Sequence, residues 1–157
     1  MQDEVLRFAP VFAFIIIGVA GAVGAIGGGL LADKLGKARF AKWAMIVSGG
    51  CTLLIGFTYG QSIWITVIVA LIWGASVIAD SAQFSALATE YAQEGSVGTA
   101  LTFQMAVGYL LTIISIYLIP LLVEAVTWQW AFIFLVIGPA IGVMAMQRLI
   151  KYEKDAS

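Results

Sequence analysis

Residues 29–39 are Gly29-Leu30-Leu31-Ala32-Asp33-Lys34-Leu35-Gly36-Lys37-Ala38-Arg39, a charged stretch that directly follows a long apolar one. A carboxylate such as Asp33 at the end of an apolar helix is costly unless it meets a helix N-terminus or a cationic side chain. Gly36 suits a tight turn, and the basic residues suit contact with lipid phosphates or carboxylates. We therefore predict a polar loop over residues 33–42 that joins two membrane-spanning helices.

The composition on either side of this loop is that of a membrane protein. The 157 residues are 62% hydrophobic and 11% charged, whereas soluble domains have about 45–50% apolar and about 25% charged residues. A spanning helix needs about 20 mainly apolar residues. Five such segments occur, at about residues 8–32, 40–59, 62–83, 97–123 and 128–147. We predict an all-α polytopic membrane protein, a single transmembrane domain over 1–157 with five helices and a tail at 148–157.

Several classes of function are excluded by the residues that are scarce. The net charge is −1, so there is no basic excess to bind nucleic acid. The chain has no His and one cysteine, Cys51, so it lacks a Ser/His or Cys/His nucleophile pair and the usual metal-ligand clusters. We expect no metal, no cofactor and no enzymatic activity. An intramembrane protease is disfavoured because neither a serine–histidine dyad nor a paired aspartate motif is present.

The basic residues predict the orientation in the membrane, because cytoplasmic loops are enriched in Lys and Arg. Seven of the eight lie in the 33–42 loop and the 148–157 tail, and the eighth is Arg7. With five crossings, this distribution puts the N-terminus outside and the C-terminus in the cytoplasm, in a plasma membrane such as the bacterial inner membrane. An odd number of helices that begins outside without a signal sequence leads us to expect further helices upstream.

The stretch 29–39 resembles the loop signature of the major facilitator superfamily, G-x-L-A-D-[RK]-x-G-[RK]-[RK]. Ala38 departs from it, since a second basic residue is usual there and Arg39 comes one position late. The on-pattern residues are Gly29, Leu31, Ala32, Asp33, Lys34, Gly36 and Lys37. In the family this loop lies in the cytoplasm between the second and third helices of each six-helix half. Four segments complete the chain from this loop onward, so the resemblance implies helices eight to twelve, a partial facilitator fold.

The resemblance also implies roles. The signature aspartate locks the two halves of a facilitator in the outward-facing state, and we carry that role to Asp33, with Gly29, Lys34, Gly36, Lys37 and Arg39 as the conformational motif. The tenth helix lines the central cavity, the eighth and eleventh pack across the two halves, and the ninth and twelfth lie outside. The N-terminal half, the lipid bilayer and an unknown small solute are the expected partners.

The first segment contains a ridge of small residues. Ala20, Gly24, Gly28 and Ala32 follow at four-residue spacing, with Gly21 on a second ridge beside them. Such ridges allow two helix backbones to approach closely in lipid. We predict a partner helix against Gly21, Gly24 and Gly28, in this chain or in another.

The third segment holds the candidate residues for solute contact, Trp73, Asp80 and Gln83. An ionisable group inside the bilayer is a functional candidate by default, and a carboxylate that takes up a proton can couple transport to a proton gradient. The alternative places Asp80 at the inner interface, as the N-cap of a short helix that runs through Tyr91 with Gln83 as the reciprocal cap. The sequence leaves both interpretations open.

The fourth segment adds Gln104 and Tyr109. They lie roughly 140° apart around a helix of 3.6 residues per turn, so at most one of them can face a cavity. Polar residues of this kind also form hydrogen bonds between helices.

Two functions follow. The first is secondary transport of a small solute by alternating access, as the C-terminal part of a facilitator permease. The second is a small accessory or structural membrane protein that associates through its glycine-rich helix face without transporting.

Overall fold

The computed structural model describes residues 11, 14–58 and 61–156, and it is helical with no strand in that part of the chain. A π-helical segment, Ile15–Ala20, leads into α1. The remaining elements are α1 (Gly21–Leu35), α2 (Lys37–Phe57), α3 (Ile63–Tyr91), α4 (Val97–Val126), α5 (Trp128–Ala131), a 3₁₀ segment (Phe132–Val136) and α6 (Ile137–Ala156).

Five of these helical stretches are long and apolar enough to cross a membrane: Gly18–Leu35, Lys37–Phe57, Ile63–Tyr91, Val97–Val126 and Phe132–Asp155. The prediction of an all-α protein with five spanning helices is thereby confirmed, and the protein is an integral membrane protein. Residues 8–10, 12 and 13 of the first predicted segment lie outside the described residues, as does Arg7.

Helix α2 is the centre of the bundle. It packs against α1, α3, the 3₁₀ segment and α6, and small residues such as Ala38 and Ala41 allow this close packing on several sides. A buried cluster at one end joins three helices through Ala38, Ala41, Met45, Leu87 and Met146. The resemblance implied an outer position for this helix, yet among the described helices it is the most enclosed.

Helix α4, in contrast to α2, is mostly exposed. It spans 30 residues and contains no buried residue. Its contacts are mainly with α3 and α5, so one face lies against the bundle and the others are open. Pro120 lies inside the helix, which continues to Val126.

The connection predicted over residues 33–42 is shorter in the structure, because only Gly36 interrupts the helices in that interval. The N–H of Gly36 donates to the carbonyl oxygen of Ala32 at 2.9 Å, and its own carbonyl accepts from Phe40 at 2.9 Å. Gly36 adopts φ 90°, a conformation open to glycine and strained for other residues. The chain therefore reverses within one residue, and the apolar face of α2 begins at once.

Two helices extend beyond their predicted C-terminal ends at residues 83 and 147. Helix α3 continues to Tyr91, because Phe84 and Leu87 pack into the cluster with Met146. The predicted tail 148–157 is helical to Ala156, and Leu149 and Ile150 pack against the same cluster. Burial of apolar side chains holds both helices together beyond the length that a bilayer requires.

Candidate functional site

The end of the bundle that contains Gly36 is called the motif end here. Lys37 Nζ lies 2.8 Å from Glu90 Oε2 and joins α2 to the end of α3. Tyr91 OH donates to Glu153 Oε1 at 2.7 Å and joins α3 to α6. These contacts show that the signature residues, the end of α3 and the end of α6 share one end of the bundle.

The remaining charged residues of the signature lie on the surface of the described helices. Asp33, Lys34 and Arg39 are exposed. Asp33 forms no ion pair shorter than 4.0 Å within the described residues, although its charge is felt by Lys37. The partner that the sequence argument requires for this carboxylate is not found in the described part of the chain.

The glycine ridge of α1 lies against α3. A Cβ added at Gly24 would overlap the carbonyl oxygen of Ala75 and stand 2.9 Å from its carbonyl carbon. One at Gly21 would overlap Ile78, and one at Gly28 would stand 3.0 Å from the Cβ of Ala79. Gly29 faces open space. The partner helix of the ridge in this structure is α3, in the same chain.

A cavity of about 850 Å³ lies between α2, α3, α4 and the last span. This volume falls within the range of about 300–1,000 Å³ that is typical of small-molecule sites. Its described lining is mostly apolar, with one carboxylate and four hydroxyls: Met45, Ser48, Thr52, Trp73, Val77, Asp80, Phe84, Leu111, Thr112, Ser115, Ile116, Ile119, Pro120, Leu135, Gly138, Pro139 and Gly142.

One face of α3 supplies the aromatic and ionisable groups of this cavity. Trp73, Val77, Asp80 and Phe84 follow at spacings of four, three and four residues, so they form a single stripe on the helix. Asp80 is half-buried, and its Oδ1 accepts a hydrogen bond from Ser81 Oγ at 3.2 Å. The N-cap interpretation of Asp80 is wrong, because an N-cap precedes a helix and Asp80 lies inside α3.

The hydroxyl groups of the lining are largely engaged with their own helices. Thr52 Oγ1 donates to the carbonyl of Ser48 at 2.8 Å. On α4, Thr112 Oγ1 and Ser115 Oγ donate to the carbonyls one turn earlier, both at 2.9 Å. These hydroxyls therefore keep their oxygen lone pairs for the cavity while their protons are committed.

Three predicted site residues are absent from the lining. Gln83 is buried, 5% exposed, on the face of α3 that also buries Ala79 and Leu87. Gln104 Nε2 donates to Ser85 Oγ at 3.3 Å, a hydrogen bond between α4 and α3. Tyr109 is 70% exposed.

Helix α2 contributes lining residues that were not among those predicted from the sequence. Ser48 and Thr52 are polar and four residues apart in an apolar helix, a spacing that puts both on one face and could have indicated them. Phe84 was not predicted to line a cavity, because it lies one residue beyond the predicted third segment, 62–83. No group of three or more His, Cys, Asp or Glu residues that could hold a metal occurs in the described part of the chain.

Comparison with known proteins agrees with the loop signature. The family model described as Major Facilitator Superfamily matches residues 10–156. No curated protein and no solved structure matches the chain. Because the family match covers almost all of the sequence, this protein is a member of the major facilitator superfamily, a family of membrane transporters.

Proposed function

We propose that this chain forms helices eight to twelve of a facilitator permease and takes part in moving a small solute across the membrane by alternating access. The observation that carries the proposal is the cavity between the spanning helices. A cavity of ligand size between spanning helices, mostly apolar and lined by a carboxylate, an indole and hydroxyls, is the default candidate for a binding site. In alternating access, such a site opens to one side of the membrane at a time.

The exposed face of α4 supports a larger assembly. Phe103 and Tyr117 are 71% and 74% exposed, and the helix has no buried residue. The family resemblance assigns α4 to the eleventh position, which packs across the two halves. We propose that seven further helices, including the N-terminal half, complete the permease and cover part of this face.

The signature supports a conformational role for Asp33. Its exposed carboxylate at the motif end is available to a helix N-terminus or a cation of the other half. We propose that this contact holds the outward-facing state and breaks as the permease turns inward. Lys37 serves a different purpose, because it is engaged with Glu90 inside this chain.

The first test is the DNA upstream of the Met1 codon. Seven further hydrophobic segments encoded there in any reading frame support the permease. Their absence supports the second candidate, an accessory membrane protein, which is otherwise favoured only by the glycine ridge of α1. The structure gives that ridge a partner within the chain, so it no longer requires another protein.

The functional test is uptake by the complete permease in proteoliposomes, with radiolabelled sugars, amino acids, organic anions and organic cations as probes. We expect transport of at least one class above empty vesicles and a loss of about tenfold or more in Asp33→Asn. Asp155→Asn is the matched control, since this exposed carboxylate lies near the motif end on α6. Equal loss in both variants, or no transport of any probe, would contradict the proposal.

A further inference from the structure

The charge in the described cavity lining is negative. Asp80 is its ionisable group, and no Lys or Arg belongs to the lining within the described residues. Asp80 also forms no ion pair shorter than 4.0 Å in that part of the chain. A carboxylate in an apolar site is costly to keep charged unless a cation accompanies it. Among its described residues, the lining therefore holds no cation to balance the Asp80 carboxylate.

The hydrogen-bonding groups point to the same conclusion. The hydroxyl protons of Thr52, Thr112 and Ser115 are donated to backbone carbonyls, so these groups present acceptor lone pairs to the cavity. An anionic ligand needs several donors, whereas three of the four hydroxyl protons in the described lining are already committed to the backbone. A ligand that is positively charged or rich in donors meets groups that can accept from it.

Aromatic rings flank the carboxylate. Trp73 lies seven residues before Asp80 and Phe84 four residues after it, on the same stripe of α3. The Trp73 ring is held edge-to-face by Phe132, with ring centroids 6.4 Å apart. Aromatic faces attract cations, most strongly when water is excluded.

The apolar part of the lining limits what the cation can be. Metal ions are held by several oxygen ligands, carboxylates above all, and the described lining offers one carboxylate beside its four hydroxyls. A sugar would leave most of its hydroxyls without partners among side chains such as Val77, Leu111 and Ile116. The volume of about 850 Å³ and the aliphatic walls suit a bulky hydrophobic body.

We propose that this cavity binds lipophilic organic cations, with Asp80 as the counter-charge and Trp73 as an aromatic wall. The proposal rests on the transport function proposed above and names the substrate class of the same cavity.

Two probes of nearly the same size and shape but opposite charge test it: tetraphenylphosphonium and tetraphenylborate. The full 157-residue chain is placed in nanodiscs, binding of each ion is measured by equilibrium dialysis, and empty nanodiscs of the same lipid are subtracted. We expect tetraphenylphosphonium to bind about tenfold or more tightly than tetraphenylborate. Equal binding of the two ions, or binding no greater than that of empty nanodiscs, overturns the proposal.

Three variants locate the site. Asp80→Asn should abolish the charge preference, and Trp73→Ala should weaken binding of tetraphenylphosphonium by about threefold or more. Glu124→Gln removes an exposed carboxylate that lies on α4 outside the lining, and it should bind as the unmodified chain does. Unchanged preference in Asp80→Asn, or its loss in Glu124→Gln, would place the site elsewhere. The two-probe comparison on the unmodified chain decides the matter even where a variant fails to fold.

Binding and transport separate the two proposals. Charge-selective binding without any uptake by the complete permease would refute transport and leave the cation site standing. Uptake of another class of solute without charge-selective binding would refute the cation site and leave transport standing.

Discussion

Single glycines determine how closely α1 can approach α3. Gly24 lies against the backbone of Ala75, where no Cβ fits, whereas Gly27 on the same helix faces open space. Two glycines three residues apart thus have different roles, one in packing and one without a neighbour. In lipid, where helices gain little from hydrophobic burial against one another, this close contact is a main source of association energy.

We expect Gly24→Ala to destabilise the chain by about 1–3 kcal/mol, because the added methyl group forces the two backbones apart. Gly27→Ala should be neutral or stabilising by up to about 1 kcal/mol, since alanine is the better helix former. Thermal unfolding of both variants in the same detergent measures the difference. Equal melting temperatures would show that α1 and α3 do not pack in this way.

Gly36 allows the reversal between α1 and α2. Its φ of 90° costs other residues about 1–2 kcal/mol, so Gly36→Ala should lower the melting temperature. Gly50→Ala is the matched control, because Gly50 lies inside α2 with nothing near its added Cβ. A melting temperature in Gly36→Ala no lower than in Gly50→Ala would refute the one-residue turn.

At the scale of helices, α2 and α4 differ in how much they are buried. Met45 on α2 is 3% exposed and belongs to the cluster that joins α2, α3 and α6. Helix α4 contributes a wall of the cavity and otherwise presents open faces. Stability therefore resides mainly in α2 and its neighbours, and α4 contributes little to it within the described residues.

Truncation of one side chain on each helix tests this division. Met45→Ala should cost about 2–5 kcal/mol, the usual range for a buried methionine. Phe103→Ala removes a larger side chain but one that is 71% exposed, so it should change stability by about 0.5 kcal/mol or less. Thermal unfolding is again the measurement. A comparable loss in Phe103→Ala would show that α4 packs against another copy or another helix in solution.

At the scale of the whole molecule, the two ends of the bundle differ in the residues that they contain. The signature turn, the end of α3 and the end of α6 meet at the motif end. Phe57 and Trp130 meet at the opposite end, with ring centroids 5.9 Å apart. The excess of Lys and Arg at the motif end predicts that it faces the cytoplasm.

Cysteine labelling tests this orientation in a background where the buried Cys51 is replaced by alanine. A membrane-impermeant maleimide should label Gln61→Cys, at the opposite end, in intact cells. Asp155→Cys, near the motif end, should be labelled only after the membrane is permeabilised. The reverse pattern would refute the predicted orientation, and labelling of both in intact cells would indicate that the chain inserts in two directions.

The number of spanning helices and the position of the signature turn could be predicted from the sequence, because both depend on local features. Apolar runs of about 20 residues specify crossings, and charged residues with a glycine specify where the chain turns back. The helix ends could not be predicted in the same way. They depend on distant contacts, such as those of Leu87 and Leu149 with the α2 cluster.

The cavity shows the same distinction most clearly. The sequence singled out Trp73 and Asp80 by residue type, yet it ranked Gln83, Gln104 and Tyr109 beside them. Helix rotation separates these residues: Asp80 lines the cavity, while Gln83 is buried on the face of α3 that also buries Ala79 and Leu87. The rotation of α3 about its axis depends on the contact of the α1 glycines with α3 and on the burial of Met45 and Leu87. Hydropathy along the chain therefore determines that the described residues form five helices able to cross the membrane, and packing between remote side chains decides which groups line the cavity.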